Sequence, residues 1–185
     1  MAEYYFLSQL PSLDGVGENT PLPITEERFS ELCNCYLGKK AKNEINKLTL
    51  IPPKTPEKSS SALVEAWNNG ERNLRFALAK VRADKMNKQF NSENKEFSSE
   101  LIRVATDAVE AKNPLEAEKI LNEFRLSFLD SLRPMDFFSE EFVFYYAIKL
   151  KLLSRIRLFD KKIGEMTYKK IYNSIMNGAN LEVIQ

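Results

Sequence analysis

The side chains able to do chemistry in this sequence are carboxylates, lysines, arginines and two cysteines, because histidine is absent. Without imidazole the chain lacks the commonest general base, the Ser–His and Cys–His nucleophile pairs, and the usual zinc and haem ligand sets. Cys33 and Cys35 sit one residue apart. That spacing cannot close an ordinary disulfide or supply four zinc ligands, and i, i+2 positions lie on different faces of a helix. They read as structural thiols, which fits a reducing cytoplasm. Glu140-Glu141 and Glu116/Glu118 could serve as acid pairs or metal ligands if another helix brought further acids to them. Each pair, however, falls in the first turn of a predicted helix, where acids complement the helix dipole. Neither GxxxxGK[ST] nor GxGxxG occurs, and Gly15-Val16-Gly17 lies among prolines, without the strand and helix a phosphate loop needs. The expectation is a protein that is not an enzyme and holds no cofactor and no metal.

Charge is informative locally and not in total. The formal net charge is +1, so no global field draws the chain to nucleic acid or an anionic bilayer. Residues 151–170 nevertheless hold seven basic residues and two acidic ones, Asp160 and Glu165, a balance of 7 − 2 = +5. Lys151, Arg155 and Lys162 fall within about 40° of one another on a helix. Arg75, Arg82 and Lys85 form a looser stripe earlier in the chain. These six residues are the candidate partner-binding set. They either dock an acidic protein partner or pair with acids of their own fold, since 26 carboxylates are present. Nucleic acid is not expected as a partner, because the aromatic residues follow core periodicity and do not interleave with the basic ones.

These side chains must be positioned by helices. Six glycines against 53 charged residues (27 basic and 26 acidic) favour helix over a turn-rich β architecture. A short aromatic stretch, Tyr4–Leu10, precedes a Pro- and Gly-containing loop. Thr25 is a predicted N-cap for a helix over 25–37. Residues 52–61, PPKTPEKSSS, read as an exposed linker between an N-terminal piece (1–51) and a main body (62–185) of one 185-residue domain. A helix over 61–88 carries Leu63, Val64, Trp67, Leu74, Ala77, Leu78 and Val81 at helical spacing, with a kink expected at Asn68-Asn69-Gly70. A helix over 96–112 follows, and Asn113-Pro114 then caps the next, with Phe124 and Phe128 on its stripe. Ser139 caps a helix running to Ile163, so apolar that it must be central. A last helix over 167–177 presents Tyr168, Ile171, Tyr172 and Ile175 and stops at Gly178 as a C′ residue. No run of 18 apolar residues occurs, and the N-terminus lacks the basic region of a signal peptide.

In order along the chain, YYFLSQLPSL, ITEERFSEL, ERNLRFALAKVRADKM, AKNPLEAEKILNEFRLSFLDSL and FVFYYAIKLKLLSRIRLFDKKIG resemble an uncharacterised bacterial family encoded beside V-type ATPase subunits and labelled V-type ATPase-associated. FALAKVRADKM and YAIKLKLLSRIRLFD are also distantly similar to the central-stalk subunit of V/A-type ATPases, called C or d. That subunit is helical, caps the membrane rotor ring and receives the rotor shaft. The resemblance implies docking on the ATPase. Because the stalk subunit has three related helical units and this chain holds about half of that, it implies an accessory, assembly or partial-stalk role and not the capping of a whole ring. It carries over no functional residues.

The expectation is thus an all-α, compact domain of five to seven helices around the 139–163 helix. It is cytoplasmic and binds V-type ATPase subunits, reaching the membrane only through that complex. Two other classes are weighed against it: a nucleic-acid-binding helical protein using the basic stripes, and a carboxylate–metal enzyme.

Overall fold

The computed structural model describes residues 2–17, 20–55, 58–90, 97–158 and 161–182; within these, the side chains of 2–3, 161–163 and 177–182 are not described. Among the described residues the fold is all-helical. It comprises α1 (Ala2–Gln9), α2 (Glu26–Tyr36), α3 (Lys39–Lys47), α4 (Ala62–Lys85), α5 (Ser99–Glu110), α6 (Pro114–Ser131), α7 (Glu140–Arg157) and α8 (Lys161–Glu182).

The expected caps at Thr25, Asn113 and Ser139 are in place, and Ser61 and Ser98 cap two further helices. The side chains of Thr25, Ser61, Ser98, Asn113 and Ser139 each accept the backbone N–H three residues on, satisfying amides that helix geometry leaves without partners. At its other end α4 closes with Asn87 at φ +53°. Lys88 N–H donates to the Ala83 carbonyl at 2.9 Å and Asn87 N–H to the Asp84 carbonyl at 3.1 Å. This is the paired closure that a left-handed C′ residue permits.

Helix α7 is the centre, with Val143 to Leu150 buried without interruption. One core joins α7 to α1–α3 through Phe6, Phe29, Cys33 and Ile45, and to the start of α4 through Trp67. A second gathers Leu74 and Leu78 of α4 with Val104 and Ala105 of α5 and Leu121 of α6. Within the stretch expected to be an exposed linker, Lys54, Thr55, Lys58 and Ser60 are exposed, while Pro53 and Ser61 are held by the body. Arg72 Nη2 donates to the Pro53 carbonyl at 3.2 Å, and Ser61 is fully buried.

Four expectations are corrected. Helix α4 runs unbroken through Asn68-Asn69-Gly70, because Gly70 answers to a neighbour and not to a turn. A methyl group there would stand 2.2 Å from Cε1 of Phe128, so the missing side chain is what lets α6 approach. The central helix ends at Arg157 and not at Ile163, about one turn beyond its last buried residue, Leu153. The last helix passes through Gly178 to Glu182; Gly178 is therefore no left-handed stop. Finally α3, which was not foreseen, brings the count of described helices to eight.

Candidate docking surface

Charged side chains are found inside the fold as well as on it. Glu71 of α4 is 2% exposed and Arg125 of α6 is 5% exposed. Arg125 Nε donates to Glu71 Oε2 at 2.9 Å and its Nη2 to Glu71 Oε1 at 3.1 Å, the forked geometry that makes guanidinium–carboxylate pairs strong. Its Nη1 reaches Asn122 Oδ1 at 3.1 Å and Glu118 Oε1 at 3.4 Å. Arg75 Nε binds Glu71 Oε1 at 2.9 Å, and Arg155 of α7 binds Glu118.

The two basic stripes therefore converge, Arg75 from one and Arg155 from the other, on acids bridged by Arg125. Lys151 Nζ lies 3.3 Å from Glu26 Oε2, and Lys85 Nζ donates to the Val109 carbonyl at 3.2 Å, near the end of α5 where a cation meets the negative pole of the helix. Arg82 is exposed, and the Lys162 side chain lies outside the described residues.

A second buried cation is Lys149. Its Nζ donates to Asp14 Oδ1 (2.9 Å), Asp130 Oδ1 (3.0 Å) and Tyr145 Oη (3.0 Å). Tyr145 donates to Asp130 at 2.5 Å, and Arg133 reaches Asp14 at 3.2 Å. Burial works against the Lys149 charge, but the bonds from Asp14, Tyr145 and Asp130 outweigh it and hold the ammonium above its ordinary range. The hydrogen bond from Lys149 in turn holds the Asp14 carboxyl below its ordinary value. Tyr146 Oη donates to the Pro11 carbonyl at 2.8 Å. Together these bonds clamp the loop after α1 to α6 and α7. Burial pushes the Cys33 thiol up to about 12, while Cys35 is exposed.

The candidate acid pairs are dispersed. Glu141 Oε2 accepts from Ser61 Oγ at 2.7 Å and from Leu63 N–H at 3.2 Å, serving the start of α4. Glu118 belongs to the arginine cluster, and Glu116 and Glu140 are exposed. Among the described residues, no three cysteines or acids come together in a way that could hold a metal ion.

On α8 the described side chains, 164–176, are all exposed. Tyr168, Ile171, Tyr172 and Ile175 recur at i, i+3, i+4 and i+7, the spacing of a single helix face. In the core such a face would be hidden, yet these four residues are between 51% and 68% exposed. The Tyr168 and Tyr172 rings stack along the helix at 6.1 Å. A smaller exposed cluster lies where Tyr4 stacks on Phe138 at 4.1 Å, near Phe137. No helix among the described residues is long and apolar enough to cross a membrane.

Residues 88–179 match the model of a family described as protein of unknown function (DUF2764). The matched stretch begins at the closure of α4 and takes in α5, α6, α7 and most of α8. No curated protein and no solved structure matches.

Proposed function

We propose that the chain is a non-catalytic docking protein that attaches through α8 to a V-type ATPase, in an accessory, assembly or partial-stalk role at the cytoplasmic face of the membrane. The observation that carries the docking role is the uncovered Tyr168–Ile171–Tyr172–Ile175 face, four exposed side chains at the spacing of a single helix face. Exposed apolar faces of this kind mark interaction sites on soluble proteins. The choice of ATPase rests on the succession of sequence motifs described above. Arg75, Lys85, Lys151 and Arg155 spend their charge within the fold, so attachment is assigned primarily to α8, and Arg82 remains exposed at the end of α4.

The test is co-purification from cells expressing the ATPase. Wild type should recover ATPase subunits, and Ile171→Asp/Ile175→Asp should lose them with the melting temperature of the body unchanged. Equal recovery by both proteins would remove α8 from the interface. Recovery of no ATPase subunit by wild type would remove the ATPase.

A further inference from the structure

Between α3 and the first turns of α4 lies a cavity of about 120 Å³. Leu48, Val64 and Trp67 form its buried wall, and Lys47 and Lys58 line it from the exposed side. No residue of α8 lines it.

Its polar groups are out of balance. Trp67 is 1% exposed, and its indole Nε1 is buried without a hydrogen-bond partner, although a buried Trp N–H ordinarily finds one. Among the described residues neither Lys47 nor Lys58 has an ion pair. The acids beside them are taken. Glu44 accepts from Ser59 Oγ, and Glu65 Oε1 accepts the Ser59 N–H at 2.8 Å. Asn68, also in the lining, brings an amide N–H2 and an acceptor oxygen and leaves the charge unchanged. Lys47, Lys58 and Glu44 sum to 2 − 1 = +1. The cavity thus carries a surplus of donors and of positive charge.

Size and wall narrow the ligand further. The volume is slightly below the roughly 150 Å³ of a buried cavity that admits benzene. An inorganic anion would answer the donors but leave Leu48 and Val64 uncovered. A single water would satisfy the indole and use neither lysine.

We propose that this cavity binds a small aliphatic carboxylate of about four to six non-hydrogen atoms. Its oxygens accept from Trp67 Nε1 and face Lys47 and Lys58. Its hydrocarbon part packs on Leu48, Val64 and the indole.

The test uses the full chain with butyrate as the probe, at constant ionic strength. Trp67 is the one tryptophan in the sequence, so intrinsic fluorescence reports on this cavity. Butyrate should give a saturable change in emission that chloride does not, and titration calorimetry should return the same Kd. Butyramide, of the same shape but uncharged, should bind at least about tenfold more weakly, as the loss of a charge-assisted hydrogen bond requires. Lys47→Gln/Lys58→Gln should weaken butyrate binding about fivefold, a size suited to exposed charges, with the melting temperature unchanged. Trp67→Phe, read by calorimetry, should bind more weakly than wild type; if it does not fold, butyramide and the lysine variant decide. A cavity held by water only, seen as no saturable response, would overturn the proposal. So would equal binding of butyrate and butyramide, tighter binding of inorganic phosphate than of butyrate, full affinity in Lys47→Gln/Lys58→Gln, or full affinity in a folded Trp67→Phe.

Discussion

Glu71 and Arg125, from helices α4 and α6, are joined by two hydrogen bonds of 2.9 and 3.1 Å while both are almost fully buried. The pair lies between the two hydrophobic cores and fixes how α4 sits on α6. Removing one partner of a buried pair strands the other charge, which costs about 3–5 kcal/mol, whereas replacing both with apolar groups of similar size is often neutral. Arg125→Met leaves Glu71 only its Arg75 partner and is expected to fall toward the lower end of that range in urea unfolding. Glu71→Leu/Arg125→Met together is expected to recover most of the loss.

At Gly70 two effects of opposite sign compete. Alanine in the middle of a helix gains up to about 1 kcal/mol over glycine, but the added methyl would overlap the Phe128 ring. Phe128 cannot swing freely, because it stacks between Trp67 and Phe124 at 6.2 Å from each, and overpacking of this kind costs about 1–3 kcal/mol. Gly70→Ala is expected to destabilise by about 1 kcal/mol net, read from the denaturation midpoint. At Gly164, where a methyl meets nothing within 4 Å, the same substitution is expected to raise the helicity of α8.

The clamp around Lys149 makes part of the stability depend on pH. The Asp14 carboxyl titrates below its ordinary value in the folded chain, so its contribution is present at neutral pH and is lost as pH falls through the acid range below about 4. Asp14 is half exposed, and screening keeps the effect under about 1 kcal/mol. Asp14→Asn is expected to be less stable than wild type at pH 7, with the gap closing by about pH 2. Two unfolding curves for each protein decide it.

The thiols should separate cleanly. Cys33 is buried with its thiol pushed up to about 12, and Cys35 faces solvent; reactivity needs an accessible thiolate. A thiol reagent is expected to titrate one cysteine in the native chain, abolished by Cys35→Ser, and a second only on unfolding.

Much of this fold is legible in the sequence because caps and apolar periodicity are local signals. Thr25, Asn113-Pro114 and Ser139 mark helix starts whatever packs around them, and the apolar excess of Val143–Leu153 demands a central place. The misses have tertiary causes. Gly70 looks like a weak point until Phe128 is seen against it, and α3 buries only Ala41 and Ile45, too few positions for a clear period. The buried charges leave a trace in the sequence. Glu71 stands in register with Val64, Trp67, Leu74 and Leu78, and Arg125 stands between Leu121 and Leu129, so each occupies a core position. The basic stripes were visible as charge, but their acid partners come from other helices, beyond the reach of spacing alone. The stripe on α8 is visible too; that nothing among the described residues covers it is a fact of the fold.

Hydrogen exchange resolved along the chain tests the docking role of α8 most directly. In the free protein, the amides of α7 should be protected to nearly the global stability, while those of residues 164–176 exchange close to the rate of unstructured chain. On adding purified ATPase complex, protection should rise within 164–176 and stay unchanged in α5 and α6. Strong protection of α8 in the free chain, or ATPase-induced protection confined to other helices, would contradict it.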